Sequence, residues 1–157
     1  MNKLKKSVLL ICLFFSTQLF SQNKVDDKQL IQEVVDNFKE SIVNKDLDSF
    51  LELFVDEKKV SWVGASAFGS QFSSPTGFIN MLKYNDDKVR EDFHNIKIWN
   101  DNSIAVVTFD YGFFINDKVS NWGKESWMLI KQKGLWKITS VNFSMIMASQ
   151  KEYPFQN

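Results

Sequence analysis

Apolar residues in the first third of the chain recur at helical spacing. Leu30, Ile31, Val34, Val35, Phe38 and Ile42 fall three and four positions apart and predict an amphipathic helix. Asp26 or Asp27 can cap its start, with Gln29 near the third position, and the pattern ends around Asn44-Lys45. Asp46 opens a second, shorter helix whose buried side is Leu47, Phe50, Leu51 and Phe54, with Asp48 well placed in the first turn. Residues 56–59 read as a solvated turn and 60–63 as a short strand carrying Trp62. Ser74-Pro75 joins a cap residue to a proline in the first turn, so a third helix starts there. Phe78, Ile79 and Leu82 give it an apolar side, and it runs to about Tyr84.

From Phe93 onward the period drops to two. Residues 93–99, 103–115, 119–132 and the stretch after Lys133-Gly134 alternate as strands, separated by turns at 100–102, 116–118 and 133–134. Gly123 is a candidate bulge. In the last strand Trp136 and Ile138 share one face, and Lys137 and Thr139 the other. Long strands joined by tight turns make an antiparallel meander. Three segments fall outside these patterns. Residues 64–74 are rich in Gly, Ser and Ala, and read as a surface loop tucked down by Phe68 and Phe72, with a lid over a cavity as the alternative. Residues 85–92 read as charged linker. The tail, 148–157, is polar apart from Tyr153 and Phe155 and is expected to pack loosely or fray.

The predicted order is α-α-β-α-β-β-β-β. This is an α+β fold in which three N-terminal helices cover one face of a strongly curved antiparallel sheet, leaving a cone with an internal cavity.

Composition bears on address and partners. Lys3, Lys5 and Lys6 precede an apolar run from Ser7 to Phe15, and Leu19-Phe20-Ser21 ends in a small residue. That is the order of a secretory signal peptide, too short to span a bilayer comfortably. The expected division is a signal peptide at 1–21 and a single domain at 22–157, exported to the periplasm or secreted, with no membrane association after signal removal. Removing 21 residues and their three lysines turns 19 basic against 19 acidic residues into a net charge of about −3. Such a chain lacks the basic field that nucleic acid requires. Cys12 is the only cysteine and lies in that leader, so the expected mature domain has neither disulfide nor thiolate site. His94 is the only histidine and reads as an exposed edge residue, so no multi-histidine metal site is expected. No phosphate loop or nucleophile elbow is present, and no cofactor is implied.

Three stretches carry a family resemblance. They are Asn44-Lys45-Asp46-Leu47-Asp48 between two helices, followed by Phe54 and Val60-Ser61-Trp62-Val63-Gly64; Ser103-Ile104-Ala105-Val106-Val107-Thr108 opening a strand; and Gly134-Leu135-Trp136-Lys137-Ile138 followed by Asn142-Phe143-Ser144. Together the chain resembles the nuclear transport factor 2-like superfamily, and within it the SnoaL-like group. That superfamily includes ketosteroid isomerases, polyketide cyclases, dehydratases, non-catalytic ligand binders and interaction domains, so fold alone does not choose among them. The family's closing motif often has a histidine two residues before the serine. Here Asn142 stands there, and an amide orients a ligand without exchanging protons.

Candidate chemistry follows from strand parity. Ala105, Val107, Phe109, Tyr111 and Phe113 form the more apolar face, so Tyr111 is expected inward and Asp110 outward, unless a bulge reverses them. On the next strand Glu125, Trp127 and Leu129 share a face. If that face is inward, Glu125 is a buried acid with a raised pKa; otherwise it sits at the rim beside Lys124. Trp62, Tyr111 and Trp127 are candidate pocket walls. Asn142 and Ser144, on the Trp136 face of a regular strand, are candidate ligand hydrogen-bonders. The opposite face, with Val141, Phe143 and Met145, is the expected surface of a homodimer. Two functions fit. One is an exported module holding a small apolar or amphipathic molecule in an aromatic-lined pocket. The other is a cofactor-independent isomerase, cyclase or dehydratase with Glu125 or Asp110 as base and Tyr111 as donor to an oxyanion.

Overall fold

The computed structural model describes residues 26–84 and 86–155; the expected signal peptide and Cys12 lie outside them. Helix α1 (Asp27–Asn44) starts where Asp26 accepts the Lys28 N–H at 3.2 Å. It stops at Lys45, whose left-handed backbone (φ 51°) turns its N–H back onto the Ile42 carbonyl. Its apolar stripe, Ile31, Val34, Val35, Phe38 and Ile42, is buried as the spacing predicts. Helix α2 (Leu47–Glu52) is capped by Asp46 through the Ser49 N–H, and α3 (Pro75–Lys83) by Ser74 through the Gly77 N–H.

Six strands follow or intervene: β1 (Ser61–Ser66), β2 (Gly69–Ser73), β3 (Val89–Asn100), β4 (Ile104–Ile115), β5 (Lys118–Gln132) and β6 (Leu135–Met147). They form one sheet in the order β2-β1-β6-β5-β4-β3. β1 and β6 run parallel, and the remaining neighbours are antiparallel. The β4–β5 and β5–β6 hairpins turn on Asn116-Asp117 and Lys133-Gly134, all with positive φ, as two-residue turns of matching twist require. Three bulges bend the sheet: at Asn95-Ile96 in β3, Ser120 in β5 and Thr139 in β6. The helices cover the concave side. There Phe38 of α1 meets Trp127 of β5 at 4.6 Å between ring centroids, and Phe50 of α2 lies 6.3 Å from Trp62 of β1. The result is the α+β cone that the pattern predicts.

Four expectations are corrected. Residues 64–74 are no loop: β1 runs on to Ser66 and returns as β2, pinned on its other side by β6. Phe68 and Phe72 are 85% and 81% exposed there rather than tucked down. The linker at 85–92 contains the start of β3, where Val89 and Glu91 point inward between Arg90 and Asp92. The tail, as far as residue 155, does not fray. Tyr153 is buried against Gly112, Phe114 and Trp122 on the outer face, and its hydroxyl meets His94 Nε2 at 2.9 Å while Phe155 stacks on that imidazole. His94 is therefore half-buried. Finally, the bulge at Thr139 reverses β6. Val141 is fully buried, Phe143 and Met145 turn toward the interior, and Asn142 and Ser144 turn out. The surface expected for a homodimer is thus the inner face of the strand.

Candidate functional site

The inward rows that cross the sheet are chemically uneven. Register aligns Glu91 of β3 with Phe113 of β4 in one row, and Phe109 of β4, Glu125 of β5 and Phe143 of β6 in another. Phe143 in turn lies beside Gly64 of β1, where an added Cβ would sit 2.6 Å from its ring. Gly64 is what lets that ring lie flat over β1. α3 and the β1–β2 hairpin stand over these rows, leaving a cavity of about 380 Å³. Its walls include Phe38, Trp62, Phe78, Phe113 and Phe143; Gln71, Ser73, Asn121 and Met81 also line it. It lies at the small end of ligand-site volumes.

Glu125 is buried, 6% exposed, and shares its face with Trp127 as the period of two predicts. The Trp127 indole N–H donates to its Oε1 at 2.6 Å. Trp127 is itself fully buried and supports this carboxyl from beneath instead of lining the cavity. Burial pushes the Glu125 carboxyl up to about 7, against a smaller opposing effect of the indole bond. Glu91 is 8% exposed, and its Oε2 has no hydrogen-bond partner. Burial, then the charge of Glu125, holds its carboxyl well above the carboxylate range. Two such groups with one sign of charge and no cation between them share protons as a pair.

Tyr111 lies in the same cavity. Its hydroxyl stands 3.0 Å from both the Ser144 carbonyl oxygen and Asn121 Oδ1. One proton serves one acceptor at a time, so the phenol is engaged within the protein. Burial, then the nearby charges of Glu125 and Glu91, pushes its ionisation further up. The Ser144 carbonyl reaches the phenol because Gly123 leaves room: a Cβ there would collide with that oxygen. Gly123 thus serves close approach, while the bulge falls at Ser120. The Ser144 hydroxyl points the other way and accepts the Lys124 N–H at 2.9 Å.

Asp110 is on the outer face. Lys124 Nζ donates to it at 2.6 Å and Asn95 Nδ2 at 2.8 Å. Burial works against ionisation, but those bonds hold its carboxyl below the usual range. Asn142 and Ser144 line an outer groove with Asp110 and Lys124, which Glu125 also borders, although Glu125 itself is buried. So the structure brings together Glu125, Tyr111 and Trp62 around one cavity, with Trp127 behind them, and separates Asp110, Asn142 and Ser144 from it. Glu91 was missed. Its signal was Val89-x-Glu91-x-Phe93, a period of two hidden inside a run of charges. A pair of carboxyls can bind a cation or exchange a proton. Among the described residues no three His, Cys, Asp or Glu side chains converge as metal ligands would.

No protein-family model matches the sequence, and no curated protein matches it. Solved structures match its shape. A nuclear transport factor 2-like protein from Cytophaga hutchinsonii superposes with a TM-score of 0.62 at 14% identity, covering 78% of this chain and all of that one. One from Novosphingobium aromaticivorans, described as having a cystatin-like fold, gives 0.62 at 10% identity over 96% of both chains. A superfamily protein from Salmonella enterica gives 0.61 at 20% identity, covering 83% of this chain and 96% of its own. At these identities the likeness is one of fold, and the chain has the nuclear transport factor 2-like fold.

Proposed function

We propose that the domain binds a small apolar or amphipathic molecule inside the cone. The observation that supports this most is the cavity itself: aromatic walls closing on two buried carboxyls that form no ion pair among the described residues. Apolar surroundings with a few convergent polar groups are the usual make-up of a ligand site. Export through the segment 1–21 belongs to the same reading. The test uses the neutral aromatic 2-phenylethanol as probe and follows side-chain resonances by NMR. Trp62 and Gln71 signals should shift in a saturable way while those of the outer-face Asn142 stay still. Unmoved cavity resonances at millimolar probe would remove the reading.

Glu125 favours a second reading, acid–base catalysis of the isomerase, cyclase or dehydratase kind. A carboxyl lifted to about 7 is suited to take and return a proton near neutrality. The engaged Tyr111 hydroxyl weighs against it, since an oxyanion would have to displace the Ser144 carbonyl. Acetophenone in deuterated water offers a check. Catalysis predicts exchange of its methyl protons that rises through pH 7 and disappears in Glu125→Gln. Equal rates for the two proteins would dismiss it.

A further inference from the structure

Resting on the binding reading, we propose that the cavity takes an organic ammonium ion with a small apolar body, seated between Glu91 and Glu125. The Glu91 Oε2 is buried in the protein with no partner, and the carboxyl belongs to the cavity wall. A polar atom in that state is costly unless something bonds to it. The four ion pairs among the described residues join Lys59 to Asp56, Arg90 to Asp92, Lys124 to Asp110 and Lys131 to Asp27. None reaches Glu91 or Glu125.

The lining narrows the choice of ligand. It contains no lysine, arginine or histidine, so an anion would meet only like charge. Calcium or magnesium prefers six or more oxygens, which two carboxyls among phenylalanines do not supply. An ammonium group brings up to three N–H donors on a point charge, enough for Glu91 Oε2 and the free side of Glu125. The rings of Phe38, Trp62 and Phe78 line the space and cover the apolar body of such a cation. At about 380 Å³ the space equals roughly a dozen water volumes, which suits one ring or a short chain.

Proton release accompanies such binding. The titratable groups on the cavity are Glu91 from β3, Tyr111 from β4 and Glu125 from β5; β1, β2, β6 and α3 place none on it. α1 brings Asp36, Lys39 and Glu40 to the surface groove on the other side of Glu91. The empty pair keeps a proton near neutrality, and a cation displaces it, so affinity must climb with pH.

Calorimetric titration of the folded protein with phenethylammonium, 2-phenylethanol and 3-phenylpropanoate at pH 6 and pH 8 tests this. The expected result at pH 8 is phenethylammonium bound at least about tenfold tighter than the alcohol, with the carboxylate weakest. At pH 6 the amine should lose about tenfold, and its heat should vary with the ionisation enthalpy of the buffer. Glu91→Gln and Glu125→Gln should each abolish the amine's advantage and keep the alcohol bound, which also reports that the variants are folded. If the alcohol or the carboxylate binds as tightly as the amine, the ammonium assignment is overturned and the pocket stands. If none of the three binds, both fall.

Discussion

Glu125 faces inward because the chain alternates there: Glu125, Trp127 and Leu129 all lie on the core side, and all three are buried. Its raised carboxyl has a thermodynamic consequence. The folded state holds the proton up to about pH 7, whereas the unfolded chain releases it near the ordinary glutamate value of 4.5. Between those values the folded state binds more protons, so stability is greatest below the unfolded value and declines as pH rises through the folded one. Urea unfolding at pH 5 and pH 8 should show a loss on the order of 1–3 kcal/mol at the higher pH from this group. Glu125→Gln should flatten that profile and be the more stable protein at pH 8. An unchanged slope in the variant would assign the effect elsewhere. Glu91 adds to the same trend, and its position was the harder one to read. Its neighbours Arg90, Asp92 and the acidic residues before them mark the segment as solvated, and only a strand assignment reveals that every second residue is covered.

At the scale of elements, glycines decide where strands and tail approach closely. Gly123 admits the Ser144 carbonyl, and the colliding atom is backbone, which cannot rotate away. Gly123→Ala should therefore cost about 2 kcal/mol or more in chemical unfolding and free the Tyr111 hydroxyl, visible as a shifted Tyr111 ring resonance. A cost under about 0.5 kcal/mol would mean that β6 relaxes at this point. Gly112 does the same for the tail, since an added Cβ would lie 2.6 Å from the Tyr153 hydroxyl oxygen. Gly112→Ala and Tyr153→Ala should each destabilise by about 2–4 kcal/mol, and the double variant should cost little more than either, because both remove one contact. Additive losses would contradict the seating of Tyr153 on Gly112. The helices were legible almost to the residue, since capping and apolar spacing act over one or two turns. The β1–β2 hairpin was not, because its Gly and Ser residues carry little strand preference and the pairing of β1 with β6 supplies the order.

The whole molecule is one core shared by helices and sheet. Phe38 of α1 touches Phe50, Phe93 and Trp127, so it joins α1 to α2, β3 and β5. Phe38→Ala should cost about 3–5 kcal/mol, and helix circular dichroism and tryptophan fluorescence should still lose signal in a single coincident transition. Separate transitions would show that α1 and the sheet are independently stable. The same packing sets the cavity. The space bordered by α3 is where Glu91, Tyr111 and Glu125 come together from three strands.

What the sequence determined by itself was local: three helices with their caps, the long strands from 93 onward, the tight turns between them, the inward parity of Tyr111, and the shared face of Glu125, Trp127 and Leu129. These depend on spacing and on residues within a few positions of one another. The tertiary structure decided the rest. A single extra residue at Thr139 exchanged the faces of β6, taking Asn142 and Ser144 out of the site and turning Phe143 into it. Long-range packing also placed Glu91 on the same cavity as a carboxyl 34 positions away in the chain. Register between strands is a property of the pair, so no reading of one strand could show that the site is built from two acids.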